Sequence, residues 1–354
     1  MPLLTESNNP LSTVLKNPPW LLFWLGVFLF VLAFYSLSIG AMSITPYDLL
    51  ASLIGQADQP QTAMIITEIR LPRVVLAILV GAGLGISGAA MQGLFRNPLA
   101  DPGLVGVSSG AALGAVMIIV LGATWFHGWL SYLGAAALPL AAFLGGLAVT
   151  SLIYRLATRN GRTDVGLMLL AGVALNAMSG AAIGLLSYFA SAEQLRSLTF
   201  WSLGSLASAD WSSISMVSVP ILLAVIWLPF SARGLNAFLM GEAVSKHMGY
   251  NVKQLKWMVI GLTALAVGAA VSVSGVIGFV GLVAPHIVRS LTGPDHRWVM
   301  PGSALVGALL VLGADLIARS LLAPSEIPIG IIMSAIGGPF FLWLLMQRRP
   351  RVGF

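Results

Sequence analysis

Apolar runs long enough to cross a bilayer recur along this chain from Trp20 to Met346, and nothing else in the sequence restricts its fold so strongly. A hydrocarbon core about 30 Å thick takes roughly 20 apolar residues per helix, and an open sheet could not satisfy its backbone there. Hydrophobic residues make up 58% of the 354 and charged residues only 8%. The chain reads as an all-α polytopic membrane protein. Ten spans fit, near residues 20–40, 70–92, 103–122, 132–154, 165–190, 212–230, 257–273, 276–291, 299–318 and 328–346. Around Ser274-Gly275 one long kinked helix fits the letters as well as two spans do. The expected organisation is one transmembrane domain, 20–346, after a polar segment 1–19 and before a tail 347–354. The first apolar run exceeds the 7–15 residues of a signal core, so it reads as a retained span although Ala41 could mimic a cleavage site.

Charge orients the spans. With the amino terminus inside, alternate connections collect Lys16, Arg96, Arg155, Arg159, Arg162, Arg233, Lys246, Lys253, Lys256, Arg289, Arg297, Arg348, Arg349 and Arg351, which is 14 of the 18 basic residues. The positive-inside bias then puts both termini in the cytoplasm and requires an even number of spans. The pI near 10 follows from this bias and is not a nucleic-acid signal.

The other face keeps Arg70, Arg73, Arg196 and Arg319. In Glu68-Ile-Arg70-Leu-Pro72-Arg73, Pro72 suits a first helical turn, so both arginines are expected at the positive end of a helix dipole. Either Glu68 neutralises one of them, or an arginine fork receives an external carboxylate, with Arg319 nearby. Asp315 is the one carboxylate expected within a span. It should face protein or water and pair with Arg319 one turn on.

Small residues mark either tight helix contacts or a glycine-lined path between helices: Gly81, Gly83 and Gly85; Gly106, Gly110 and Gly114; Gly180 and Gly184. Ser87-Gly88 and Ser274-Gly275 hint at an inverted duplication of the kind transporters use. On the inner side, Arg96-Asn97-Pro98-Leu99-Ala100-Asp101-Pro102-Gly103 forms a tight turn that could narrow the inner mouth. The longest inner loop, 233–256, carries a stripe of Leu235, Phe238, Leu239, Val244 and Met248, suited to the bilayer surface or to a groove on a soluble partner.

Other chemistry has little support. There is no cysteine and no P-loop, and His127, His247, His286 and His296 lack metal-ligand spacing. Ser109 within Gly106-Val-Ser108-Ser109-Gly110 has no histidine at its depth to make a nucleophile.

Motifs in a shared order resemble the FecCD, or BtuC-like, permeases of bacterial ABC importers. They are RLPR (70–73), SGAAMQGLFRNPLADPGLVGVSSGAALGA (87–115), LAGVALN (170–176), FWSLGSL (200–206), GFVGLVAPHIVR (278–289) and ARSLLAPSEIPIG (318–330). The resemblance covers essentially the whole chain and is greatest in wording to the haem-uptake branch. It implies a homodimer of ten-helix subunits in the bacterial inner membrane, without catalytic residues or cofactor. A periplasmic substrate-binding protein would dock outside and two ATPase subunits inside. Arg70, Arg73 and Arg319 match arginines that receive glutamates of the binding protein. Gly241, Glu242, Ala243 and Gly249 match the segment that couples to the ATPase. Asn97, Leu99, Thr163 and Asp164 match the cytoplasmic gate, Asp164 standing where a small polar residue would be expected. The substrate implied is haem, with ferric siderophore or cobalamin as alternatives. A secondary transporter coupled to ions is the rival class, but it would need membrane carboxylates, for which only Asp315 is available.

Overall fold

The computed structural model describes residues 18–40, 44–54, 59–159, 162–323 and 325–347. Lys16, Ala41, Arg348, Arg349 and Arg351 lie outside them. Ten apolar helices run through the described residues: α1 Pro18–Ser38, α2 Leu71–Phe95, α3 Val107–Leu121, α4 Ala137–Ala157, α5 Val165–Tyr188, α6 Trp211–Trp227, α7 Val252–Ser274, α8 Val280–Thr292, α9 His296–Ser320 and α10 Ile329–Gln347. A two-residue ribbon, β1 Thr158–Arg159 paired antiparallel with β2 Arg162–Thr163, joins α4 to α5. Ser274-Gly275 separates two helices, and Gly275 takes a left-handed φ of 66°.

Contacts between connections fix the helix directions. At one end Arg96 stacks on Phe238, Lys256 reaches Thr163 and Asn236 holds Asp295. These contacts join the α2–α3, α4–α5, α6–α7 and α8–α9 connections. At the other end Trp211 donates to Thr67 O, Gln194 to Val120 O, Ser205 N to Ser274 O and Ile329 N to Gly204 O. The helices therefore alternate in direction, and α1 begins at the end where α10 finishes. That end carries the basic connections, which the positive-inside rule expects on the inner side, and it is called the inner end below.

α2 and α9 form the central pair. A side chain at Gly81 or Gly85 would run into the α9 backbone at Gly307 or Ser303, so glycine is what lets these helices touch. Gly110 and Gly114 bring α3 equally close to α4 at Gly145 and Ala141. Gly180 and Gly184 do not behave this way, because nothing lies within 4 Å of either Cβ position. Among the described residues α5 makes no close helix contact through these two glycines, which leaves the glycine-lined path as the reading they fit. Only 11% of the apolar window of α5 is buried.

Two helices are too short to span alone: α3 has 15 residues and α8 has 13. At ~1.5 Å per residue each covers about 20 Å of a ~30 Å core. The irregular stretches before them, 96–106 and 275–279, meet instead. Asp101, Pro102, Gly103, Ile277 and Gly281 line one small cavity of about 20 Å³ with Leu84 and Val267. Irregular backbone is tolerated at this depth because it is enclosed by protein. The two breaks fall at the third helix of each half, in keeping with the duplication hinted at by the Ser-Gly pairs.

Candidate functional site

The outer site begins with a change to the expected helix start. Pro60–Met64 is already helical, and Ile65–Arg70 continues as a π-turn into α2, with Leu71 N bonded to Ile66 O. The wider turn accommodates Pro72, which has no N–H to offer. Arg70 and Arg73 thus lie well inside a helical run and not at its positive end. The dipole argument for them fails, and another source of anionic charge holds Arg73.

That source is Asp315 and Glu326. Arg73 Nε donates to both Asp315 oxygens at 2.9 and 3.1 Å, while its Nη1 and Nη2 grip Glu326 at 2.8 and 3.0 Å. Asp315 is fully buried and also lies 3.7 Å from Arg319 Nε, so the expected one-turn pair is present with Arg73 as the stronger partner. Arg319 donates to the carbonyl and hydroxyl of Ser36 at the end of α1. Arg70 donates to Leu37 O at 2.7 Å and Ser38 O at 3.0 Å. The exposed Glu68 is not the carboxylate that holds Arg73. Within this cluster three arginines face two carboxylates, a surplus of one positive charge, and each arginine is at most 9% exposed. Glu326 is the open side of the cluster, with its side chain 38% exposed.

The inner site is assembled from three connections. Gly241 and Gly249 have φ of 114° and 88°, so they delimit a short helix, Glu242–His247, that follows the helix Ala232–Leu239. Non-glycine residues would be strained at either position. The expected apolar stripe divides. Leu235 and Phe238 are buried, whereas Leu239, Met240, Val244 and Met248 are exposed beside Ala243. Glu242 bridges Lys246 at 2.8 Å and Lys256 at 2.9 Å, and hydrogen bonds from these two lysines hold its carboxyl below the usual glutamate range.

Lys256 connects that segment to the expected gate. It is 4% exposed, donates to Thr163 O at 2.7 Å as well as to Glu242, and lies over the Phe238 ring. Thr163 is buried, its hydroxyl 3.0 Å from that of Thr158. Asp164 caps α5 by accepting from Gly166 N and Leu167 N, which gives a physical reason for an acid at this position. Asn97 accepts from Leu99 N within the tight turn, leaving Leu99 exposed. Asn236 receives His296 N on its oxygen and donates to Asp295, whose carboxyl is lowered to about 2, chiefly by Arg297.

Lys256, Glu326 and Asn236 were not among the expected site residues. Lys256 carried one signal, a cation entering an apolar helix with no acid in the following turns. Ser109 bonds Asn176 at 2.5 Å and thereby ties α3 to α5. Among the described residues no three or more His, Asp or Glu side chains gather as a metal site.

Known proteins match this arrangement over nearly all of its length. Hemin transport system permease protein HmuU of Yersinia pestis is 45% identical over 333 residues, which cover 94% of this chain and 97% of that one. Vitamin B12 import system permease protein BtuC of Escherichia coli is 38% identical over 336 residues, with 94% and 97% covered. A solved metal-chelate type ABC transporter in an inward-facing conformation superimposes with a TM-score of 0.81 at 34% identity, over 93% of this chain and 99% of that one. The ten-helix fold is therefore shared with a known transporter, and the FecCD transport family model matches residues 28–347. The chain belongs to the FecCD transport family.

Proposed function

We propose that this chain is the membrane subunit of an ATP-binding-cassette importer in the bacterial inner membrane, where it moves haem from a periplasmic binding protein to the cytoplasm. The observation that carries the importer reading is the inner segment 232–248. Its outer surface presents Leu239, Met240, Val244 and Met248, while its inner surface is fixed through Glu242 and Lys256 to Thr163. A segment that merely floated on the bilayer would not need that buried ionic tether. It suits a groove on a soluble ATPase, with Gly241, Glu242, Ala243 and Gly249 at the contact, and it can pass a push to a gate formed by Asn97, Leu99, Thr163 and Asp164. The chain itself carries no catalytic step, since hydrolysis belongs to the partner.

The working unit is a homodimer. α5 leaves Gly180 and Gly184 open amid exposed large apolar side chains such as Leu170, Val173, Met178 and Leu185. Small residues favour a second helix over lipid tails. At the outer end, acids of the binding protein meet the surplus charge of Arg70, Arg73 and Arg319 by displacing Glu326. Haem is the preferred substrate because the more similar of the two permeases described above is a hemin permease; ferric siderophore and cobalamin are the alternatives. The reading is tested with the chain purified with its ATPase in nanodiscs. Haemin-loaded binding protein should raise ATP hydrolysis above the level given by empty protein. Stimulation by cobalamin or a ferric siderophore alone would reassign the substrate, and vigorous hydrolysis by the chain without its ATPase would reject the role.

A further inference from the structure

A groove of about 620 Å³ opens between α4, α6 and α7, away from the outer ionic cluster. Its walls are apolar for most of their length, from Leu147 and Leu223 to Leu265. Its inner end is different. Arg155 in the last turn of α4, Trp227 closing α6 and Trp257 in the second turn of α7 converge there with Tyr154. No acid lines the groove, and Arg155 is exposed. Lys253 is exposed one turn before Trp257, and Arg159 is exposed in β1, just past the end of α4.

Depth identifies the occupant. Leu147 lies two turns outward of Arg155 and Leu265 two turns outward of Trp257, so the apolar channel runs about 12 Å from the charged rim. One leaflet of a ~30 Å core is about 15 Å deep. Half-exposed tryptophans at that rim suit the headgroup boundary, where indole rings collect. We propose that this groove is a binding site for one anionic phospholipid of the inner leaflet, its phosphate on Arg155 and an acyl chain along α7. The basic rim without a compensating acid selects an anionic headgroup over a zwitterionic one. A lipid seated there would touch α4 and α7, the two helices whose inner ends carry Thr158 and Lys256, and so would brace the gate from the membrane side.

Gly261 supplies a clean probe, since a Cβ added there meets nothing within 4 Å although the residue lines the groove. Native mass spectrometry of the full chain in detergent, with added dioleoyl phosphatidylglycerol or dioleoyl phosphatidylcholine, reads occupancy directly. Phosphatidylglycerol should be retained preferentially. Arg155→Gln should lower that retention about five-fold, the loss expected for one basic residue at a membrane surface. Gly261→Leu should abolish retention of the last bound lipid while leaving elution volume unchanged, and Arg233→Gln, on an exposed base outside the groove, should have no effect. Equal retention of the two lipids, or equal losses from Arg155→Gln and Arg233→Gln, would overturn the proposal. A change of oligomeric state in Gly261→Leu would also overturn it by making the groove a subunit contact.

Discussion

The two ends of the molecule handle charge in opposite ways. At the outer end three arginines are closed in by Asp315, Glu326 and the last carbonyls of α1, and very little of them faces solvent. At the inner end one buried cation, Lys256, holds a segment whose other surface is left apolar and exposed. A closed cluster stabilises the subunit itself, whereas a tethered but unfinished surface calls for a partner. In the function proposed above, the outer end also receives a partner, where Glu326 gives way.

The largest effect should come from breaking the closed cluster. Arg73→Met leaves Asp315 buried without its main counter-ion, a change that costs about 3–5 kcal/mol. The melting temperature of the solubilised protein should fall sharply, and adding Asp315→Asn should recover much of it. A melting curve unchanged by Arg73→Met would show that the cluster does not brace the fold.

Lys256→Met comes next. It removes two charge-assisted hydrogen bonds worth about 1.5–3 kcal/mol each and detaches Glu242 from Thr163. Hydrogen exchange should accelerate in 158–165 and 242–249 while peptides around Arg73 stay protected. Acceleration spread evenly over both ends would erase the contrast between them.

Glu326→Gln sharpens the comparison from the outer side. Glu326 is partly exposed, so its loss should cost no more than about 1 kcal/mol of stability. Affinity for an acidic binding protein should nevertheless rise, with a steeper salt dependence, because Arg73 no longer has a resident competitor. Lower affinity would mean that Glu326 positions the arginines and does not shield them.

The smallest effect is one of pH. The Glu242 carboxyl lies below its ordinary value because Lys246 and Lys256 bond its charged form. Its contribution is therefore complete above the ordinary glutamate pKa of about 4.3 and fades as pH falls through the lowered folded value. Protection of the Glu242–His247 helix, followed by exchange, should hold near neutrality and weaken only in that acid range. Loss on raising the pH would contradict the assignment.

Much of this architecture is legible in the residues. Apolar run lengths locate all ten helices, and the alternation of basic connections matches the end at which Arg96, Thr163, Asn236 and Lys256 meet. Pro72 looks like the first-turn proline of a helix beginning there, whereas a π-turn carries the helical run back from α2 to Pro60. Proline marks a missing donor, and a helix has more than one way of absorbing that loss. Gly180 and Gly184 fit close packing or a glycine-lined path equally well in the sequence, since small residues do not say whether a neighbour lies in the same chain. The partners of Arg73 were out of reach because they come from α9 and the turn before α10, far along the sequence. Lys256 was hidden in a basic loop whose other cations, such as Lys246 and Lys253, are exposed.

The central claim is that this subunit borrows its power at the inner end. It is tested most directly by haemin uptake into proteoliposomes holding the chain alone, or the chain with its ATPase, with loaded binding protein outside and ATP inside. The account predicts uptake only when ATPase and ATP are both present, and its disappearance in Lys256→Met with the ATPase still bound. Uptake by the chain alone that collapses when the proton gradient is discharged would contradict it.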